Sequence, residues 1–294
     1  MQNTFEPADY NAYFQTVTWA LLYAQQHSLR NLILDFSMNG GGDICLGRAM
    51  LELLFPNSPN FGPTDLPATP LAVNLSATAD AAHVRGTEWS PDFYLSAVGQ
   101  APFINNSWLV PGIARVRGGV PGNYSQLVAI APTPATGDCG IPPVLFTQPL
   151  FAPQNVVFLS RGFCGSTCAL FADSLHDYLG VRTVAVGGTD PAVGMAYRSF
   201  PGLQVVDSGY LYGVLDELLQ ETGRQDCSEC LAPRRLLTSA AFRLCIRQIY
   251  RSADDTAVPL EYTQQNADSR IQFSRASALD PAALWSDVRQ RFLQ

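Results

Sequence analysis

The 294-residue chain is 47% hydrophobic and 15% charged, with a mean hydropathy of +0.05, which suits a packed core in one large domain or two small ones and argues against disorder. Eighteen basic against 25 acidic residues leave a formal charge of −7, so neither a nucleic-acid groove nor an anionic membrane surface is an expected partner. Every basic residue is Arg and none is Lys, which excludes Schiff-base chemistry, a Ser–Lys dyad and a P-loop of the usual kind.

Residues 9–27 carry Tyr13, Val17, Ala20, Leu21 and Ala24 at helical spacing. A nearly continuous apolar run, Asn31 to Phe36, then predicts a strand buried on both faces of a parallel sheet. It ends in Asn39-Gly40-Gly41-Gly42, and a helix is expected from about Leu46 to Leu54. Between Pro56 and Pro149 lie 14 of the 21 prolines; this stretch reads as a loop-rich insertion with short strands. The core resumes at Asn155–Ser160, a second buried strand, followed by a helix near Ser166 and a strand at Arg182–Val186. That β–α–β unit implies a parallel sheet. A helix over Gly209–Glu221 and short strands at Ala241–Tyr250, Val258–Tyr262 and Arg270–Ser274 follow, then a helix opened by Asp280-Pro281 and running to Phe292. The division expected is 1–55 and 151–294 as two parts of one core, with 56–150 inserted. No apolar run is long enough to span a membrane.

Seven cysteines (Cys45, Cys139, Cys164, Cys168, Cys227, Cys230 and Cys245) are many for a cytosolic domain. Asn74, Asn105 and Asn123 each begin an N-x-S/T sequon, all within the Pro-rich stretch. Together they favour a secreted, disulfide-bonded and glycosylated protein. Met1–Pro7 lacks the basic and apolar regions of a signal peptide, which reads as a fragment or a late start. Cys227-Ser228-Glu229-Cys230 lacks the second pair of ligands that a zinc site needs. Disulfides or buried thiols are the expectation, with no metal, and the odd count leaves one thiol free or intermolecular.

Two segments carry chemistry. The glycine triplet after a strand lets backbone N–H groups face a cleft, where an oxyanion or phosphate is held; alone it is equally a tight turn. In Ser160-Arg161-Gly162-Phe163-Cys164-Gly165-Ser166-Thr167-Cys168 a serine stands where a turn becomes a helix; alone it is equally an N-cap.

In this order, with Gly180-Val181-Arg182-Thr183-Val184-Ala185-Val186-Gly187-Gly188 and a C-terminal stretch including Pro259-Leu260-Glu261-Tyr262 and Trp285, the chain resembles the tail-specific, or C-terminal-processing, serine peptidases of the S41 family, in their fungal and chlamydial-protease-like branch. The resemblance covers roughly 30–55 and 155–290. It implies an α/β fold with a crotonase/ClpP-like β–β–α core, parallel sheet and loop-rich insertion. It also implies Ser166 as nucleophile, an oxyanion hole from the Thr167 amide with Gly41 or its neighbour, a polypeptide substrate and no cofactor. Where most of the family has its lysine this chain has Asp190-Pro191-Ala192-Val193-Gly194. The branch instead uses a histidine and an acid, the histidine preceding the first strand, so its counterpart is expected upstream of Met1. His176 stands ten residues past Ser166, about 15 Å along a helix. His27 ends the first helix, and His83 in the insertion is the remaining candidate base. Glu261, Glu217 and Glu221 are candidate acids. The alternatives are a noncatalytic extracellular peptide-binding module on the same scaffold and, more weakly, an acyl-thioester binder. The oligomeric state is open.

Overall fold

A computed structural model describes residues 5, 7–59, 61–130, 146–190, 192–199, 205–221, 243–254, 256 and 258–293. The chain divides into two compact units, the first built from 1–61, 139–203 and 263–294, the second from 62–138 and 204–262. Residues 204–262 thus cluster with the Pro-rich stretch.

The first unit is α/β. Its four-stranded sheet runs in the order Leu32–Asp35, Val156–Ser160, Arg182–Val186, Ser269–Ile271, and every pairing is parallel. The central strand Val156–Ser160 is buried at all five residues, as its unbroken apolar sequence requires of a strand covered on both faces. Alternate side chains feed different clusters. Val156 and Phe158 pack with Phe14, Leu21, Leu46, Leu51 and Phe171, whereas Val157 and Leu159 pack with Leu284 and Val288. The helices Tyr10–Gln26, Ile44–Leu54 and Thr167–Asp173 therefore cover one face and Pro281–Phe292 the other.

Asp9, Asp43 and Asp280 cap their helices through side-chain oxygens that accept from Ala12, Cys45 and Leu46, and Ala282 N–H groups. The Asp280 carboxylate and Pro281 fix the start of the last helix as the sequence predicts. Arg270–Ser274 shortens to the strand Ser269–Ile271.

The second unit has an antiparallel sheet in the order Gln248–Ile249, Thr64–Asp65, Val128–Ile130, Tyr94–Ser96, plus a hairpin of Ile113–Arg117 with Val120–Tyr124. It also holds a helix that the loop-rich reading of 56–150 lacks, Pro70–Ala81. Thr69 caps it and Pro70 opens it, but its buried face is Ala72, Leu75, Ser76 and Ala79, too small and polar to register as an apolar stripe. It packs on Val214, Leu215 and Leu218 of the helix Ser208–Glu221. The segment expected as one strand at 241–250 forms two, Arg243–Cys245 and Gln248–Ile249, which pair in different sheets; residues 241–242 lie outside the described residues. The strand expected at Val258–Tyr262 is instead a 3₁₀ turn, Leu260–Tyr262. Pro259, with φ fixed and no N–H to give a ladder, favours a first helical turn there.

Candidate active site

The register that pairs Asp35 with Leu159 continues beyond the strands. The Phe36 N–H donates to Leu159 O at 2.9 Å, and Asn39 bridges Cys164 in parallel. Two turns therefore leave the same end of the sheet side by side, 39–42 from the edge strand and 161–166 from its neighbour. The Gly165 N–H donates to Asn39 O at 3.3 Å, and the Thr167 hydroxyl donates to Gly42 O at 2.6 Å.

Gly41 is where the turns touch. Its φ is +105°, and a Cβ there would lie 2.6 Å from both Gly165 O and Ser166 Cβ and 3.1 Å from Thr167 N. Only a residue without a side chain fits.

Ser166 stands at the N-terminus of the helix Thr167–Asp173 with φ 51° and ψ −128°, a conformation that strains an L-residue by ~1–3 kcal/mol. Its hydroxyl makes no cap hydrogen bond, unlike the side chains of Asp43, Thr69 and Ser274. The N-cap reading therefore does not describe it. Ser166 is half-buried, and a strained serine between a strand and a helix is the arrangement of a nucleophile elbow. The amides of Thr167 and Gly42 donate to no group among the described residues. The Gly41 N–H is committed, donating to the buried Asn39 Oδ1 at 2.9 Å. A site with two unpaired amides beside a strained serine can receive an oxyanion.

A disulfide, Cys164–Cys168, spans Ser166. Neither this pairing nor the role of Asn39 is among the features expected from the sequence. The signal for the first was two cysteines four apart around the serine; for the second there was none beyond its place before the glycines.

The remaining candidates stand on other elements. His83, exposed at φ 55°, follows the C-cap of the helix Pro70–Ala81 in the second unit. Glu261, also in the second unit, is buried, and both its oxygens accept from the Ile249 N–H at 3.1 Å. Glu217 is exposed on the helix Ser208–Glu221. His27 caps the helix Tyr10–Gln26 and its ring lies 4.1 Å from that of Tyr23. Cys139, Cys227 and Cys230 lie outside the described residues. No hydrogen bond joins the Ser166 hydroxyl to another side chain among the described residues.

His176 is an ion-pair residue. Its Nδ1 lies 2.8 Å from Asp177 and its Nε2 3.4 Å from Asp268. The hydrogen bond to Asp177 raises its pKa above the usual 6.5, against the pull of burial and with help from Asp268. Burial alone would raise the Asp268 carboxyl, but hydrogen bonds from the Thr183 N–H and hydroxyl, with His176, hold it below the carboxylate range. For a histidine raised on folding, the stabilisation is complete below the unfolded value near 6.5 and is lost as pH rises through the folded value. Stability is expected to fall above pH 6.5 over that window, and His176→Asn should flatten the slope. Denaturant midpoints measured across pH 5.5–8.5 check this, and an unchanged slope in the variant would refute it.

Three curated proteins resemble the chain, each named as a peptidase S41 family protein. Two are phomP1 and phomP1′ of Diaporthe leptostromiformis, 28% identical over 331 residues and 29% over 193 residues, covering 95% and 61% of this chain. The third is ustP of Aspergillus flavus, 30% identical over 196 residues and covering 58% of this chain. The chain spans 49%, 29% and 38% of their respective lengths, half or less of each. No family model matches the chain, and no solved structure matches it significantly.

Proposed function

We propose, from this kinship with the peptidase S41 family, that the first unit is a serine-type peptidase domain with a crotonase/ClpP-like core, cutting polypeptides through an acyl-enzyme on Ser166. The observation that carries the reading is the conformation of Ser166: strained, uncapped and packed on Gly41. The hydroxyl would attack a peptide carbonyl, and the helix-terminal Thr167 amide would hold the oxyanion. The second donor is the glycine turn: Gly41 once Asn39 releases its amide, or the neighbouring Gly42. The proton acceptor is a histidine. His83 is the candidate within the chain, since the rings of His27 and His176 are already engaged. Glu261 is the candidate acid. No metal or organic cofactor enters this chemistry.

A fluorophosphonate probe tests the reading, because it reacts only with an activated serine. Slow labelling is expected, since among the described residues nothing is hydrogen-bonded to the Ser166 hydroxyl, and Ser166→Ala should abolish it. Loss of the residual labelling in His83→Ala would assign the base to His83. Absence of labelling in folded protein would transfer the case to a noncatalytic peptide-binding module on the same scaffold.

The compartment proposed is extracellular. The three sequon asparagines, Asn74, Asn105 and Asn123, are exposed, although Asn74 lies on the helix Pro70–Ala81 rather than in a loop. Among the described residues no helix is long and apolar enough to cross a membrane. Produced through a secretory pathway, the protein should lose mass on deglycosidase treatment; an unchanged mass would count against glycosylation at these sites.

A further inference from the structure

We propose that the Cys164–Cys168 disulfide is a positioning element that holds Ser166 in its strained conformation, so that reactivity of the serine depends on the bond being closed. The proposal rests on the reading of Ser166 as a nucleophile.

The bond joins the residue two before the serine to the residue two after it, with Cα atoms 5.2 Å apart. Both cysteines are fully buried. A disulfide acts on global stability chiefly by restricting the unfolded chain, and that effect grows with the length of the closed loop. With a sequence separation of 4 the closed loop is near the smallest available, so global stability is a poor account of this bond. What it encloses is one residue at φ 51°, ψ −128°.

Such a conformation persists only where its surroundings over-determine it. The other restraints act on its neighbours. The Gly165 N–H is tied to Asn39 O, the Thr167 hydroxyl to Gly42 O and the Ser199 N–H to Cys164 O. Each is a single hydrogen bond on one side of the serine. Across it run one hydrogen bond, from the Cys168 N–H to Gly165 O at 3.0 Å, and the disulfide, the covalent link. With the disulfide open, that one hydrogen bond is left to span the serine, and the segment from Gly165 to Cys168 can relax Ser166 towards ordinary helical or extended dihedrals. The hydroxyl then swings towards a capping position, and the Thr167 amide leaves the line of the carbonyl. Displacements of about 1 Å at a reacting group are enough to cost 10²-fold in rate.

Opening the bond takes two electrons and two protons. A dithiol supplies them and leaves as its own disulfide.

The test compares the protein with the double variant Cys164→Ala/Cys168→Ala by three measurements. Hydrogen exchange read by mass spectrometry over 162–172 should be at least tenfold faster in the variant. The thermal midpoint of the whole chain should fall by no more than a few degrees. Fluorophosphonate labelling of Ser166 should slow by tenfold or more. Equal exchange and equal labelling in the two proteins would overturn the proposal. If the parent protein does not label at all, the peptidase reading fails, and the exchange measurement still decides whether the bond holds the turn. If the variant does not fold, the parent is reduced with dithiothreitol and its thiols alkylated, and the same exchange comparison is made. Reoxidation without alkylation should restore protection of 162–172, and protection that never changed on reduction would overturn the proposal.

Discussion

Gly41→Ala is expected to slow fluorophosphonate labelling of Ser166 by about 10²-fold or more and to destabilise the chain by ~2–4 kcal/mol. The added methyl would sit 2.6 Å from Gly165 O and Ser166 Cβ, with Thr167 N at 3.1 Å. None of these atoms ends a flexible side chain, so the two turns must part. The φ of +105° adds its own penalty for an L-residue. Gly40→Ala is the control. There a Cβ would meet only the Phe163 ring, at 3.6 and 3.8 Å, ordinary contact distances. Denaturant unfolding and labelling rates of the two variants, measured together, check the expectation. Equal effects at Gly40 and Gly41 would show that the turn does not press on the serine.

Asp65→Ala should destabilise the second unit by about 3–5 kcal/mol, the usual cost of stranding a buried charge. Asp65 is fully buried. Both terminal nitrogens of Arg117 donate to its carboxylate, the Tyr250 hydroxyl donates at 3.1 Å and Arg115 Nε lies 3.3 Å away. The Arg117 guanidinium also lies 3.8 Å over the Tyr124 ring and donates to the Tyr250 hydroxyl. Removal of the carboxylate leaves two guanidinium groups with little access to water. Arg117→Met on the Asp65→Ala background should recover part of the loss, because one stranded charge goes with it. Urea unfolding of the parent and the two variants decides this. A loss under about 1 kcal/mol in Asp65→Ala would mean that water reaches the cluster, as for a surface pair.

The sheet and the serine turn were legible in the sequence because their signals are local. Asn31–Phe36, Asn155–Ser160 and Arg182–Val186 are apolar enough to read as buried strands, and glycines mark where the first two turn. The loop between Pro56 and Pro149 was harder. Its helix Pro70–Ala81 buries alanines and a serine, which leave no stripe to detect. Glu261 illustrates a different limit. Its pattern reads as a strand, whereas it stands in a 3₁₀ turn, and its carboxylate also accepts from the Ile249 N–H twelve residues back. The role of Asn39 could not be read either, since it depends on the side chain folding onto Gly41. Such bonds are set by turn geometry, which one sequence does not disclose.

The interleaving of the two units also bears on synthesis. Leu32–Asp35 pairs with Val156–Ser160, beginning with Leu32 against Val156, and the intervening chain contributes most of the second unit. At ~5–20 residues per second, a ribosome emits the first strand on the order of ten seconds before its partner. During that interval Leu32, Ile33 and Leu34 have no neighbour in the sheet, and the glycine turn has no serine turn to lie against. The nascent chain therefore passes through a stage with an unpaired apolar strand, open to chaperones and to pairing with other chains.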